Sequence, residues 1–250
     1  MLALLVAAAF VAGLVDAIAG GGGLMTVPLL FASGLDARAV LATNKAQAVF
    51  GSCASMVGFA RHGELDRDRA PWSFVFAAAG SAVGVSLVLV LDPKVLRPIV
   101  LGLLVVASLT ALLRRDGRAE GVALVKRHPL PFAAAVALAL GAYDGFFGPG
   151  TGTFLLLLYA HLFGDALVRA SGNAKVANFG SNLVSFVLFA LSGAVVWRAA
   201  LPMGVAQLAG SLIGTKLAVR GGARVVRGLV ALISLLLAVR LALQLFPGLL

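Results

Sequence analysis

Apolar residues fill nearly the whole chain in runs separated by short polar stretches, without the two-faced patterning of a soluble domain. The runs Phe74 to Leu91, Ile99 to Leu113, Phe132 to Leu140, Phe186 to Leu191 and Leu229 to Leu245 stand out. With their neighbours, several reach the roughly 20 residues that cross about 30 Å of hydrocarbon. Each half of the chain reads as five apolar segments, in the first half 2–17, 24–34, 46–60, 72–91 and 95–113. The second of these is short for a full span, as is its counterpart 152–163, so each either crosses or re-enters. The pattern predicts an all-α polytopic membrane protein.

Composition strengthens that reading. Of the 250 residues 61% are hydrophobic and 12% charged, against about 25% charged in soluble domains. Mean hydropathy is +1.04. So little polar sequence leaves no room for a soluble domain, and the lipid bilayer is the expected partner. A net charge of +10 would suggest nucleic acid in a soluble chain. Here Arg114, Arg115, Arg118, Lys126 and Arg127 crowd a short connection, where the positive-inside rule puts them, so no nucleic-acid partner is expected. Trp72 and Trp197 suit the interfacial aromatic belt. The segment from Met1 to Ala17 lacks the basic start of a signal peptide and matches an internal segment, so it reads as mature structure.

The chain carries an internal repeat. Gly13-Leu14-Val15-Asp16 followed by Gly20 to Gly23 aligns with Gly141-Ala142-Tyr143-Asp144 followed by Gly148-Pro149-Gly150-Thr151-Gly152, at an offset of 128. After a two-residue insertion the offset is 130. It then pairs Lys45 with Lys175, Gly63 with Gly193, Gly80-Ser81-x-x-Gly84 with Gly210-Ser211-x-x-Gly214, and Lys94-x-x-Arg97 with Arg224-x-x-Arg227. The expected organisation is an N-terminal membrane repeat over 1–120 and a C-terminal one over 128–250, joined by a basic connecting loop at 114–128.

Loop charge bears on topology. If the short second segments cross, one face collects Arg61, Arg67, Arg69, the charges of 114–127, Arg169, Lys175, Arg220, Arg224 and Arg227. The other keeps Arg38, Lys45, Lys94, Arg97 and Arg198. If they do not cross, the faces come out nearly equal. The positive-inside rule therefore favours five plus five segments, both termini outside and the halves inverted.

Four consecutive glycines, or Gly-Pro-Gly-Thr-Gly, do not make a continuous helix, since each interior Gly costs about 1 kcal/mol and Pro about 3. Unwound backbone at membrane depth belongs where it lines a cavity or lies within protein. Matched broken helices near the midplane are a feature of secondary transporters. The Gly80/Gly84 and Gly210/Gly214 pairs read instead as close-packing motifs.

A glycine break followed by a helix exposes backbone N–H groups, a ready anion site. Gly21, Gly22, Gly23 and Thr26, with Gly150, Thr151, Gly152 and Thr153, are the first candidates to contact a small anionic substrate. The threonine hydroxyls either donate to it or cap the broken helix. The second cluster is Asn44, Lys45 and Gln47 against Lys175, Asn178 and Asn182. A lone lysine opening an apolar segment often just snorkels to the interface. Two at equivalent positions, each flanked by amides, suit an anion that needs charge and several donors. On a helix Lys175, Asn178 and Asn182 share one face. Asp16 and Asp144 are the third pair, and intramembrane carboxylates are usually functional. Either they take up protons and couple transport to the proton gradient, or they support the broken helices by accepting N–H bonds. Tyr143 and Gln207 are within reach of such a cavity, and His161, with no partner in the first half, reads as interfacial.

No enzyme constellation is present: His62, His128 and His161 lie far apart without ligand spacing. The single cysteine, Cys53, allows neither an intrachain disulfide nor a Cys-based metal site and reads as a small packing residue. No P-loop occurs, and no metal or cofactor is expected.

The runs Asp16-Ala17-x-Ala19-Gly20-Gly21-Gly22-Gly23 with Pro28, Ala42-Thr43-Asn44-Lys45, Asp144-Gly145-Phe146-Phe147-Gly148-Pro149-Gly150-Thr151-Gly152 and Lys175-x-x-Asn178 strongly resemble the TauE/SafE family of sulfite exporters. The resemblance covers essentially the whole chain. It implies a bacterial inner-membrane protein that moves sulfite, organosulfonates or other sulfur-containing and organic anions, without fixing which. Export of sulfite or organosulfur anions by alternating access is the leading expectation. An anion uptake carrier is the alternative, and an anion channel a third reading. The sequence does not fix the oligomeric state; a homodimer is one arrangement it allows.

Overall fold

The computed structural model describes the backbone of residues 1–112 and 121–245 and the side chains of 1–107 and 121–222. The described regular structure is helical: α1 (Leu2–Ala19), α2 (Gly22–Ala32), α3 (Ala37–Arg61), α4 (Arg69–Val90), α5 (Pro93–Leu112), α6 (Ala123–Arg127), α7 (Pro129–Phe146), α8 (Thr151–Phe163), α9 (Leu167–Leu191) and α10 (Trp197–Leu245). Among them α1, α4, α7 and α9 combine at least 18 residues with mean hydropathies of 2.4, 2.1, 1.3 and 1.4, enough to cross a membrane. The chain is an all-α polytopic membrane protein.

Most elements fall where the apolar pattern puts them, with one informative difference. The third segment begins at Ala37 rather than 46, because Asp36 caps it by accepting the N–H groups of Arg38 and Ala39 at 2.9 and 3.1 Å. Thr43, Asn44 and Lys45 therefore lie inside a buried helix and do not open it. Gly222, at φ 58 and ψ −155, divides α10 into the two segments expected at the end of the second half. Gly63 and Gly193, matched by the repeat offset, take φ 74 and 72 just beyond α3 and α9. Of the connecting loop, 123–127 forms the short helix α6, and the Val122 N–H donates to the Leu162 carbonyl at 2.9 Å. Arg114, Arg115 and Arg118 lie outside the described residues.

The short second segment folds back. Val27 and Leu30 of α2 pack in one buried cluster with Ala9 and Leu5 of α1, and a Cβ on Gly22 would stand 3.0 Å from the Ala12 carbonyl. α2 thus runs antiparallel to α1 toward the side where α1 begins. Its 11 residues rise about 16 Å, too short to cross. It turns the chain back toward the side where α1 begins.

Contacts fix the remaining directions. Arg38, at the start of α3, donates to the Leu89 and Leu91 carbonyls at the end of α4, so these two helices are antiparallel. Gly80 and Gly84 of α4 face Leu138 and Ala142 of α7, and Gly210 and Gly214 of α10 face Phe10 and Leu14 of α1. Numbers rise together in both pairs, so each pair is parallel. The packing is tight: an added Cβ would stand 2.1, 2.2, 2.0 and 2.4 Å from the carbonyl oxygens of Leu138, Ala142, Phe10 and Leu14. These are the close-packing motifs read from the sequence. Each helix pair joins one half of the chain to the other.

Candidate functional site: a cavity between two broken helices

Both glycine stretches break the helix. Gly20 and Gly21 take φ 74 and 90 between α1 and α2, and Gly148 and Gly150 take φ 93 and 88 between α7 and α8. These are left-handed conformations that glycine adopts without steric cost. The breaks touch: a Cβ on Gly20 would lie 2.3 Å from Thr153 N, and one on Gly23 would lie 3.2 Å from Pro149 Cα. The first turns of α2 and α8 thus meet inside the protein, flanked by α3 and α9.

A cavity of about 30 Å³ lies there. It holds about one water, less than an oxyanion with its partners needs. Of the residues expected at an anion site, Asp16, Gly21, Gly22, Gly23, Thr26, Asn44, Lys45, Asp144, Gly150, Gly152, Asn178 and Asn182 line it. Gln207 and Gly148 of the second break line it as well, and so does Ala48, which sequence reasoning did not single out. Four expected residues stand behind the wall. Gln47 donates to Asn44 Oδ1 at 3.0 Å, Thr151 donates to the Gly148 carbonyl at 2.8 Å, Thr153 packs against Gly21, and Lys175 turns onto Asp16. Tyr143 braces the second break through its hydroxyl, which donates to the Pro149 carbonyl at 3.0 Å. His161 is exposed at the end of α8.

The lysines and aspartates form two ion pairs, each across the halves. Lys45 Nζ lies 2.8 Å from Asp144 Oδ1, and Lys175 Nζ lies 2.7 Å from Asp16 Oδ2. The side chains of Lys45, Asp144 and Lys175 are at most 3% exposed, and that of Asp16 is 13% exposed. Sequence reasoning placed both residue types here but did not pair them. Each carboxylate has a further donor. Gly22 N–H donates to Asp16 Oδ1 at 3.2 Å, which is the helix-support role, and Ser181 Oγ donates to Asp144 Oδ2. Of the backbone donors expected to be open to an anion, those of Gly22, Thr151 and Thr153 are therefore already engaged, the last two by the Gly148 and Gly150 carbonyls at 3.1 and 3.0 Å.

Amides complete the lining. Asn182 Oδ1 accepts from Lys45 at 3.0 Å and Asn178 Oδ1 accepts from Asn182 Nδ2 at 3.0 Å. Asn44 Oδ1 accepts from Thr26 Oγ1 at 2.6 Å. With the carbonyls of Asn44 and Asn178 occupied as acceptors, each has its amide nitrogen left to offer, a donor suited to an oxyanion. The described residues hold no group of three or more His, Cys, Asp or Glu fit for a metal ion.

A second cross-half cluster was missed by sequence reasoning, which counted Arg69 as a loop charge. Arg69 is 5% exposed; its Nη2 reaches Asp165 Oδ1 and Oδ2 at 2.8 and 3.0 Å and Asp66 Oδ2 at 2.8 Å, and its guanidinium lies 4.4 Å from the centre of the Phe163 ring. Asp66 N–H donates to Asn173 Oδ1 at 2.8 Å. At the opposite end, Val196 N–H donates to Thr43 Oγ1 at 3.1 Å, the same bond at the repeat offset of 130, without the charges. Burial alone would raise the Asp66 carboxyl, but the Arg69 hydrogen bonds outweigh it and hold it below its usual value. The only sequence signal was the run Asp66-Arg67-Asp68-Arg69, which looks like any solvated turn.

Comparison with known proteins assigns the chain to a family. Residues 5–241 match the family described as Sulfite exporter TauE/SafE. The chain belongs to that family. It is a membrane transporter and not an enzyme. A probable membrane transporter protein, ORF9, of a Sinorhizobium species is 36% identical over 246 residues, covering 96% of this chain and 92% of its own. A probable membrane transporter protein of Haemophilus influenzae is 34% identical, covering 96% and 94%, and the probable membrane transporter protein YfcA of Escherichia coli K12 is 34% identical, covering 96% and 89%. No solved structure matches the chain significantly.

Proposed function

We propose that this TauE/SafE member is a secondary transporter of the bacterial inner membrane that exports sulfite or organosulfur anions by alternating access of two inverted halves. The observation that carries the reading is the crossed pair of Lys–Asp bridges around a cavity walled by two helix breaks. The halves, 1–120 and 128–250, are read as inverted because α7 runs opposite to α1, as the contacts of α3, α4 and α7 imply.

In this reading each carboxylate stands in for the anion. A buried ammonium needs a charged partner at all times, because an unpaired one is costly at low dielectric. An oxyanion that reaches the cavity takes over a lysine, the amide nitrogens of Asn44 and Asn178 and the helix-break N–H groups, and the aspartate swings away. The cavity must widen to admit it, and this couples binding to movement of the halves. An anion leaving alone gains about 2.3 kcal/mol per charge per 100 mV of an inside-negative potential, which favours export.

Uptake is the second reading, and the neutrality of the four charges favours it. Two lysines and two aspartates sum to zero, so an added monoanion is balanced by one proton on the displaced carboxylate. Anion and proton then travel together, which an inward proton gradient drives inward. The experiment is flux of labelled sulfite in proteoliposomes, with sulfate, thiosulfate, sulfoacetate and acetate as competitors, under imposed potential or imposed pH gradient. Saturable sulfite flux driven by potential supports export of the anion; acceleration by a pH gradient alone supports proton-linked uptake. Flux of acetate but of no sulfur anion would overturn the sulfur assignment.

A further inference from the structure

Between the last turns of α3 and the first turns of α4, an apolar groove of about 720 Å³ opens at the edge of the protein. Met56 and Val57 wall it on one side and Phe74 and Val75 on the other, and the buried Val176 lies beneath. Val57 and Val75 are 36% and 59% exposed, so the groove faces outward, where lipid lies. Arg61 ends α3 and Arg67 lies two residues before α4, and both line the groove. Because the two helices are antiparallel, the arginines share one end of it. The apolar walls extend about 8 Å deeper, five residues at 1.5 Å each.

Both arginines are exposed, and among the described residues neither forms a salt bridge. The nearest acidic residues in sequence, Glu64, Asp66 and Asp68, are not part of the lining, and Asp66 is paired with Arg69. The repeat supplies an internal comparison. At the offset of 130, Met56, Arg61 and Arg67 correspond to Phe186, Leu191 and Trp197. There the Phe186 and Trp197 rings meet edge to face with centroids 6.0 Å apart. At these matched positions the second half carries apolar side chains where the first half carries the two arginines.

We propose that this groove binds an anionic phospholipid, with the phosphate between Arg61 and Arg67 and an acyl chain laid along Met56, Val57, Phe74 and Val75. Two cations above an apolar trough match a molecule with a charged head and a hydrocarbon tail, and arginine is suited to phosphate by its forked donors. In the five-plus-five reading the groove falls on the face with the excess of basic residues, where anionic lipids gather against basic pockets. A zwitterionic lipid brings its own cation to the arginines and binds less well.

The test uses the purified full chain in detergent with equal amounts of dioleoylphosphatidylglycerol and dioleoylphosphatidylcholine, retained lipid being counted by native mass spectrometry. Wild type is expected to retain the glycerol lipid over the choline lipid by about fivefold or more. Arg61→Gln/Arg67→Gln is expected to bring that ratio close to one; Ala60 also lines the groove, and Ala60→Trp, which fills the trough and leaves both charges, is expected to lose both lipids. Thermal melting of each variant shows that it is folded. Equal retention of the two lipids by wild type, or an unchanged preference in the double arginine variant, overturns the proposal. So does retention of the glycerol lipid by Ala60→Trp that millimolar inorganic phosphate abolishes, which would make the site one for free phosphate. A dimer that Ala60→Trp breaks, with no lipid retained by wild type, would give the groove to a second copy of the chain and overturns it equally.

Discussion

Lys175 on α9 reaches 2.7 Å to Asp16 on α1, from one half of the chain into the other, and both groups are withdrawn from solvent. Removing one partner of such a pair leaves an uncompensated buried charge, which costs about 3–5 kcal/mol. Removing both does not. Lys175→Met is therefore expected to lower stability by that amount, and Lys175→Met/Asp16→Leu to recover most of it. Unfolding in detergent checks this; additive losses in the double variant would mean that the two side chains do not depend on each other.

The same pairs give a prediction for transport. If the displaced carboxylate carries a proton, Asp144→Asn leaves Lys45 without its exchangeable anion, and flux loses its dependence on the pH gradient. Flux through Asp144→Asn at varied internal and external pH tests this. An Asp144→Asn transporter that still responds to the gradient as wild type does would assign the carboxylate a purely structural part.

Close helix contacts predict a contrast between glycines. Gly210→Ala would put a Cβ 2.0 Å from the Phe10 carbonyl oxygen, backbone that cannot turn aside, so it is expected to cost several kcal/mol or prevent folding. Gly102→Ala, on an exposed face of α5 with nothing within 4 Å, is expected to be neutral or to stabilise by about 0.5–1 kcal/mol. Folded yield by size-exclusion profile distinguishes the two.

The Arg69 cluster predicts a pH effect at one end of the molecule. The Asp66 carboxyl is held below its ordinary value of 3.8, so its contribution is complete at pH above about 4 and is lost as pH falls through the lower folded-state value. Melting temperature should fall more steeply in wild type than in Arg69→Gln over that acid range. Parallel curves would show that the cluster adds no pH-dependent stability.

Much of this was legible in the sequence. The apolar runs gave the helices, and the repeat offset identified Asp16 with Asp144 and Lys45 with Lys175 before any distance was known. The glycine runs located both breaks, because backbone at φ near +90 admits little else. The pairing of lysine with aspartate was not legible. It depends on α3 reaching α7 and α9 reaching α1, contacts between halves that no local pattern encodes. The start of α3 was placed late because Thr43 to Gln47 looks polar, and polarity at a buried interhelical site resembles polarity at a helix end. Arg69 was misjudged for the same reason: its partner Asp165 is 96 residues away.

The most direct test of the account is labelled sulfite flux in proteoliposomes for wild type, Lys45→Ala and Lys175→Ala, each confirmed folded by its size-exclusion profile. A site in which an anion takes over the lysines from Asp144 and Asp16 predicts saturable flux in wild type and near-complete loss in both variants. Normal flux in both folded variants would contradict it and leave the two ion pairs as struts of the fold.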